Sequence, residues 1–143
     1  MARALEMARA GGLRDEVPVG AVIVLGRTIL AESHNRTMER CDPTAHAESL
    51  AIRAAARRVG DWRLVDCTLY TTLEPCAQCA GAIVLARIPR LVFGAYDPKA
   101  GMAGSLENLV QDPRLNHRVE LLGGVLEKES SELLRAFFRA RRG

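Results

Sequence analysis

The chain has 143 residues, 48% of them hydrophobic, and a formal net charge of +3. That length suits one domain with a core of ordinary size, and the charge is too small to announce nucleic-acid binding by itself. No run approaches the roughly 18 to 20 apolar residues that span a bilayer, and MARALEMARAGGLRDEVPVG lacks the apolar stretch of a secretory signal. A single soluble domain over residues 1–143 is expected, intracellular and cytoplasmic, with no membrane partner.

The elements follow in order. A first helix fits ARALEMARA, residues 2–10, ended by Gly11-Gly12, because glycine readily supplies a left-handed closing turn. VPVGAVIVL (17–25) and TILAESH (28–34) are strands flanking Gly26-Arg27, and they predict a hairpin. Residues 45–59 are alanine-rich with interspersed arginines and predict a helix, with Asp42 and Thr44 ahead of it as capping residues. CTLYTTL (67–73) is a strand. Pro75 then fits the first turn of a helix through AQCAGAIVLA (77–86), where its missing amide proton costs nothing. RLVFGA (90–95) is the next strand. A loop rich in Gly, Asp and Pro leads to a short helix at SLENLV (105–110), a strand at VELLGG (119–124) and a last helix at ESSELLRAFFRARR (129–142). Five strands interleaved with five helices predict a three-layer α/β sandwich whose strand order the sequence leaves open.

Four cysteines in a chain without an export signal are reduced thiols or metal ligands rather than disulfide partners. Cys76 and Cys79 form a CxxC at a predicted helix start, so both sulfurs face one point. The unsatisfied amides of that helix end favour the thiolate. His46, also at a predicted helix start, can supply a third ligand for a tetrahedral zinc, and the open fourth position is the pattern of a catalytic metal that acidifies a bound water. Glu48 then acquires the role of a carboxylate that carries protons between water, a ring nitrogen and a departing ammonia. Residues i and i+2 point apart on a regular helix, so His46 and Glu48 share a cavity only at an irregular helix start; Asp42-Pro43-Thr44 supplies the turn. A CxxC alone also suits a redox pair, and a purely structural metal would need Cys41 or Cys67 as a fourth ligand.

Together HAE (46–48) and PCAQC (75–79) match the H-x-E…P-C-x-x-C pattern of zinc deaminases. With EVPVGAVIV, DPTAHAE, TLEPCAQCAGAI, RIPRLVFGAYDPKAG, AGSLENL, NHRVE and FFRARR, the chain resembles the bacterial-type tRNA-specific adenosine deaminases almost from end to end. The resemblance implies a cytidine deaminase-like α/β/α sandwich with a five-stranded mixed sheet, one zinc ion per subunit, a homodimer, and hydrolysis of the wobble adenosine of an arginine tRNA with an ACG anticodon to inosine. It implies His46, Cys76 and Cys79 as zinc ligands and Glu48 as the proton shuttle. Asn35 would bond the flipped base and the amide of Ala47 would be a further donor. Asp97 and Lys99 would touch the anticodon loop, and Arg139, with Arg135, Arg141 and Arg142, would grip the RNA backbone. Simpler roles stand beside these: a turn residue at Asn35, turn chemistry at Asp97-Pro98, and a solvated helix face for the arginines. Leu133, Leu134, Phe137 and Phe138 are expected in the core, and Trp62 as a packing residue. Cys41 is an additional thiol in the loop before DPTAHAE. A free-base or nucleoside deaminase of guanine or cytosine type shares the metal pattern, and a non-catalytic zinc or RNA-binding module would leave Glu48 without a task.

Overall fold

In the computed structural model, which describes residues 1–142, a five-stranded mixed sheet has the order β2-β1-β3-β4-β5. The strands are β1 (Gly20–Leu25), β2 (Thr28–His34), β3 (Cys67–Leu73), β4 (Arg90–Ala95) and β5 (Glu120–Leu122). β1 runs antiparallel to both β2 and β3, whereas β3, β4 and β5 are parallel, so the sheet changes sense at its middle. The helices are α1 (Ala2–Gly12), a short α2 (Thr37–Arg40), α3 (Ala47–Val59), α4 (Ala77–Leu85) and α5 (Glu127–Arg142). α1 and α5 pack together against one face, and α3 and α4 together on the other. The result is the expected α/β/α sandwich.

Small residues set the spacing of the layers. Ala47, Ala51 and Ala55 recur every four residues on α3 and are fully buried, so this helix lies close on the sheet. Ile23, Leu69, Leu91 and Phe93 from the sheet and Ile83 from α4 fill the space between, each at most 1% exposed. Burying one such side chain contributes about 1.5–3 kcal/mol.

Several boundaries differ from the sequence-based expectation. α1 ends at Gly12 as expected, but not by a left-handed turn there: both glycines are helical, Leu13 after them is right-handed, and the left-handed residue is Asp15 (φ 64°). Gly11 serves contact instead, since a Cβ there would press on the ring of His34. Pro75 lies ahead of the first turn of α4, whose capping position is Cys76. Neither Asp42 nor Thr44 caps α3: the carboxylate of Asp42 accepts from the amide and hydroxyl of Thr44 within its own turn, and the capping position is His46. SLENLV is mostly loop, with one 3-10 turn at Leu109–Gln111. α2, which the sequence reading lacked, is held by the buried carboxylate of Glu16, which accepts from the amides of Met38 (3.0 Å) and Glu39 (2.8 Å).

Candidate active site

The site lies at the carboxyl end of β3, where the chain leaves the sheet to begin α4, beside the start of α3. His46 and Cys76 hold equivalent places: each caps its helix with an extended backbone (ψ 151° and 179°) and neither spends its side chain on a capping bond. Their side chains are therefore available to a common point. Cys79, one turn into α4, joins them. His46 Nδ1 lies 3.4 Å from Cys76 Sγ and 3.6 Å from Cys79 Sγ, and the three donor atoms are mutually within 4.8 Å. Tetrahedral zinc, with bonds of about 2.3 Å to sulfur and about 2.0–2.1 Å to nitrogen, requires nitrogen–sulfur separations of about 3.6 Å, so spacing and donor chemistry both fit that metal. Neither Cys41, exposed with a left-handed backbone (φ 48°), nor the buried Cys67 joins the group.

The ionisable groups of this cluster shift one another. Hydrogen bonds from Cys79 and His46 hold the Cys76 thiol down, at about 3, against the opposing effect of burial. The neighbouring Cys76 anion, burial and Glu48 push the Cys79 thiol up. The shifts oppose one another because two adjacent thiolates repel, and one retains the proton until a cation replaces it. His46 is raised, chiefly by its bond to Cys76.

Glu48, 4% exposed, reaches the group from the second position of α3. Its Oε1 accepts from the Thr71 hydroxyl at 2.9 Å, and its Oε2 accepts from the Cys79 thiol at 3.1 Å. Burial pushes its carboxyl up, and these donors, with the charge of His46, oppose the rise. Asn35, the residue after β2, accepts the Ala47 amide on Oδ1 at 2.8 Å, so two residues expected to meet the substrate are bonded to each other. Asp97 caps its own turn, accepting from the amides of Lys99 (3.0 Å) and Ala100 (3.2 Å), while the Lys99 side chain is exposed. Arg139 is exposed near the end of α5, whose layer is opposite to that of α3 and α4; the fold does not bring it to the metal group within one chain.

The sequence reading missed Ser49, Thr71, Gln78 and Glu74. Ser49 Oγ lies 3.4 Å from Cys79 Sγ and accepts from the Gln78 amide at 2.9 Å. These polar residues carry no spacing signal; the one available clue was a charged residue at the end of a β-strand in TLEPC. Trp62, expected to pack, is 61% exposed, with Arg63 and Arg87 stacked 5.4 Å and 5.8 Å from its ring centre. The apolar residues of α5 are only partly covered, and Phe138 remains 46% exposed.

The family model for MafB19-like deaminases matches residues 1–142. A tRNA-specific adenosine deaminase of Bacillus subtilis is 48% identical over 97% of this chain and 86% of its own length. A solved structure from a study of A-to-I editing by tRNA:A34 deaminases at the wobble position superposes with a TM-score of 0.88 at 49% identity, covering 92% of this chain and 95% of that one. The guanine deaminase of Bacillus subtilis is more distant, with a TM-score of 0.65 at 35% identity over 99% of this chain and 91% of that one. Identity near one half along nearly the whole length reflects common descent rather than a shared architecture alone: the chain belongs to the bacterial-type tRNA-specific adenosine deaminase family.

Proposed function

We propose that this protein hydrolyses the wobble adenosine of a tRNA anticodon, that of an arginine tRNA reading ACG, to inosine and ammonia. The observation that carries the reading is the placement of the buried Glu48 carboxylate against a His46/Cys76/Cys79 group spaced for zinc. Zinc bound there, one ion per chain, would supply a water acidified enough to attack at neutral pH. In the overall reaction a C–O bond forms at C6 of the purine and the C6–N6 bond breaks. Glu48 accepts one proton from the attacking water and delivers it to ring N1, then takes the second from the hydroxyl now on C6 and passes it to the amino group, which leaves as ammonia. Thr71 fixes the direction of the carboxylate. Asn35, with its oxygen committed to Ala47, presents its amide NH₂ as the donor available to the base. Asp97, Lys99 and Arg139 are assigned to the RNA, as sugar, phosphate and backbone contacts.

The family relationship and the exposed Lys99 support an RNA substrate; the likeness to a guanine deaminase supports a free base as the competing substrate. Product analysis separates them. The zinc-loaded protein is incubated with the ACG-anticodon tRNA, a matched tRNA carrying guanosine at the wobble position, and free adenine, guanine, cytosine and cytidine. Inosine only at the wobble adenosine is expected; ammonia released from a free base with the tRNA intact would overturn the substrate assignment and retain the chemistry.

A second copy of this chain is proposed as the partner. An apolar groove of about 670 Å³ between α3 and α4 is lined by Ile52, Ala56, Trp62, Ala82 and Leu85, with Leu85 70% exposed. An open apolar surface on the two helices that carry the metal group is the kind a homodimer covers.

A further inference from the structure

Glu74, in TLEPC, has no part in the chemistry described above, yet it is only 1% exposed. A carboxylate so buried must be held by donors. Here they all come from one segment. Oε1 accepts from the amide of Asp97 at 2.9 Å and from the Ser105 hydroxyl; Oε2 accepts from the amides of Ala103 at 3.0 Å and Ser105 at 2.9 Å. The parallel pairing of β3 with β4, with Leu73 opposite Ala95, sets the segment beside Glu74, and the Glu74 amide donates to Ala95. The next carbonyl, that of Pro75, accepts from Met102 at 2.8 Å. Gly101 is required by the same arrangement, because a Cβ there would fall on the Glu74 carboxylate. Two residues before the capping ligand of α4, a single side chain thus gathers both ends of the loop that carries Asp97 and Lys99.

We infer that Glu74 is a positioning residue for substrate recognition: it latches the 97–105 loop to the start of α4, fixing Lys99 and the Asp97 turn in register with the metal group. The inference rests on the RNA reading proposed above. Without the latch the metal group and Glu48 retain their own supports, the capping geometry of His46 and Cys76 and the bond to Thr71, while the recognition loop loses a common acceptor. The cost should therefore fall on binding rather than on the chemical step.

The test is E74Q in the full-length, zinc-loaded protein. The glutamine is isosteric but turns an NH₂ toward amides that need an acceptor. Loss of a charged acceptor shared by several donors should raise KM for the ACG-anticodon tRNA by about tenfold or more, with kcat within about threefold and zinc content unchanged. In a double-mutant cycle, K99A should raise KM in the wild-type background and by much less in E74Q, because the lysine is already misplaced there. Hydrogen exchange at the amides of Asp97, Ala103 and Ser105 should quicken in E74Q while that of α4 does not. S105A leaves the carboxylate in place and should move KM in the same direction by a smaller factor, so it carries the test if E74Q does not fold. Unchanged KM in the folded variants, additive effects of E74Q and K99A, or loss of kcat alone would overturn the latch. A wild-type protein that makes no inosine would overturn the RNA reading instead, and the exchange measurement would still decide whether Glu74 holds the loop.

Discussion

Glu48→Gln is the substitution that isolates the proposed proton carrier. Glu48 is 4% exposed and bonded to Thr71 and Cys79, so alanine would leave a void as well as remove a carboxylate. Glutamine preserves the volume and an acceptor for Thr71, whose hydroxyl also lies 3.2 Å from the Leu73 carbonyl and is not orphaned in either case. The amide cannot accept and release a proton. Removing a proton shuttle should lower kcat by about 10²- to 10⁴-fold, equivalent to about 2.7–5.4 kcal/mol on the barrier. Stability should move the other way or not at all. Burial raises the folded-state pKa of this carboxyl; such a group contributes stability below its unfolded value and loses it as pH rises through the folded one. In metal-free protein, E48Q is therefore expected to unfold at no lower denaturant concentration than wild type at neutral pH. The assay combines single-turnover deamination of the tRNA, zinc content per chain, and urea unfolding of the metal-free proteins. Activity within about threefold of wild type at equal zinc content would refute Glu48 as the carrier. Loss of activity together with zinc would refute the separation of the carboxylate from the metal group.

Three further outcomes are expected. Chelation should abolish deamination and lower the thermal midpoint, and zinc should restore both; with zinc at a thousandfold over its dissociation constant the stabilisation is about 4 kcal/mol, and full activity in metal-free protein would remove the metal from the mechanism. At Glu16, amides of Glu39 and Met38 and the Thr37 hydroxyl outweigh burial and lower the pKa. Its contribution is then present above the ordinary carboxyl value of 4.5 and lost as pH falls through the lower folded value, so E16Q should destabilise the protein at neutral pH and the difference should shrink in acid; urea unfolding against pH checks this, and a constant difference would refute it. Leu85→Glu places a charge on the open groove between α3 and α4 and should turn the proposed dimer into a monomer by light scattering, with the metal-ligand group intact; a variant that stays dimeric would place the interface elsewhere, and a monomeric wild type would refute the dimer.

Local features of the fold were legible from residue order alone. Periodicity and turn residues gave the five strands and the four long helices, because burial on one face leaves its period in the chain. The i, i+3 spacing of Cys76 and Cys79 put two sulfurs on one side of a helix start, and the two-residue spacing of His46 and Glu48 demanded an irregular helix start, which the structure supplies by beginning α3 at Ala47, two residues later than expected, with His46 extended ahead of it. What those features face depends on contacts between distant segments. Strand order follows from which edges pair, a long-range choice with no local mark. Glu16 and Glu74 could not be recognised as loop-holding acids, because their partners are backbone amides, which every residue except proline carries. The bond from Ala47 to Asn35, the exposure of Trp62 and the position of Arg139 on the opposite layer have the same origin. Residue type and spacing state which chemistry a side chain can perform; the folding of distant segments against one another determines which groups it meets.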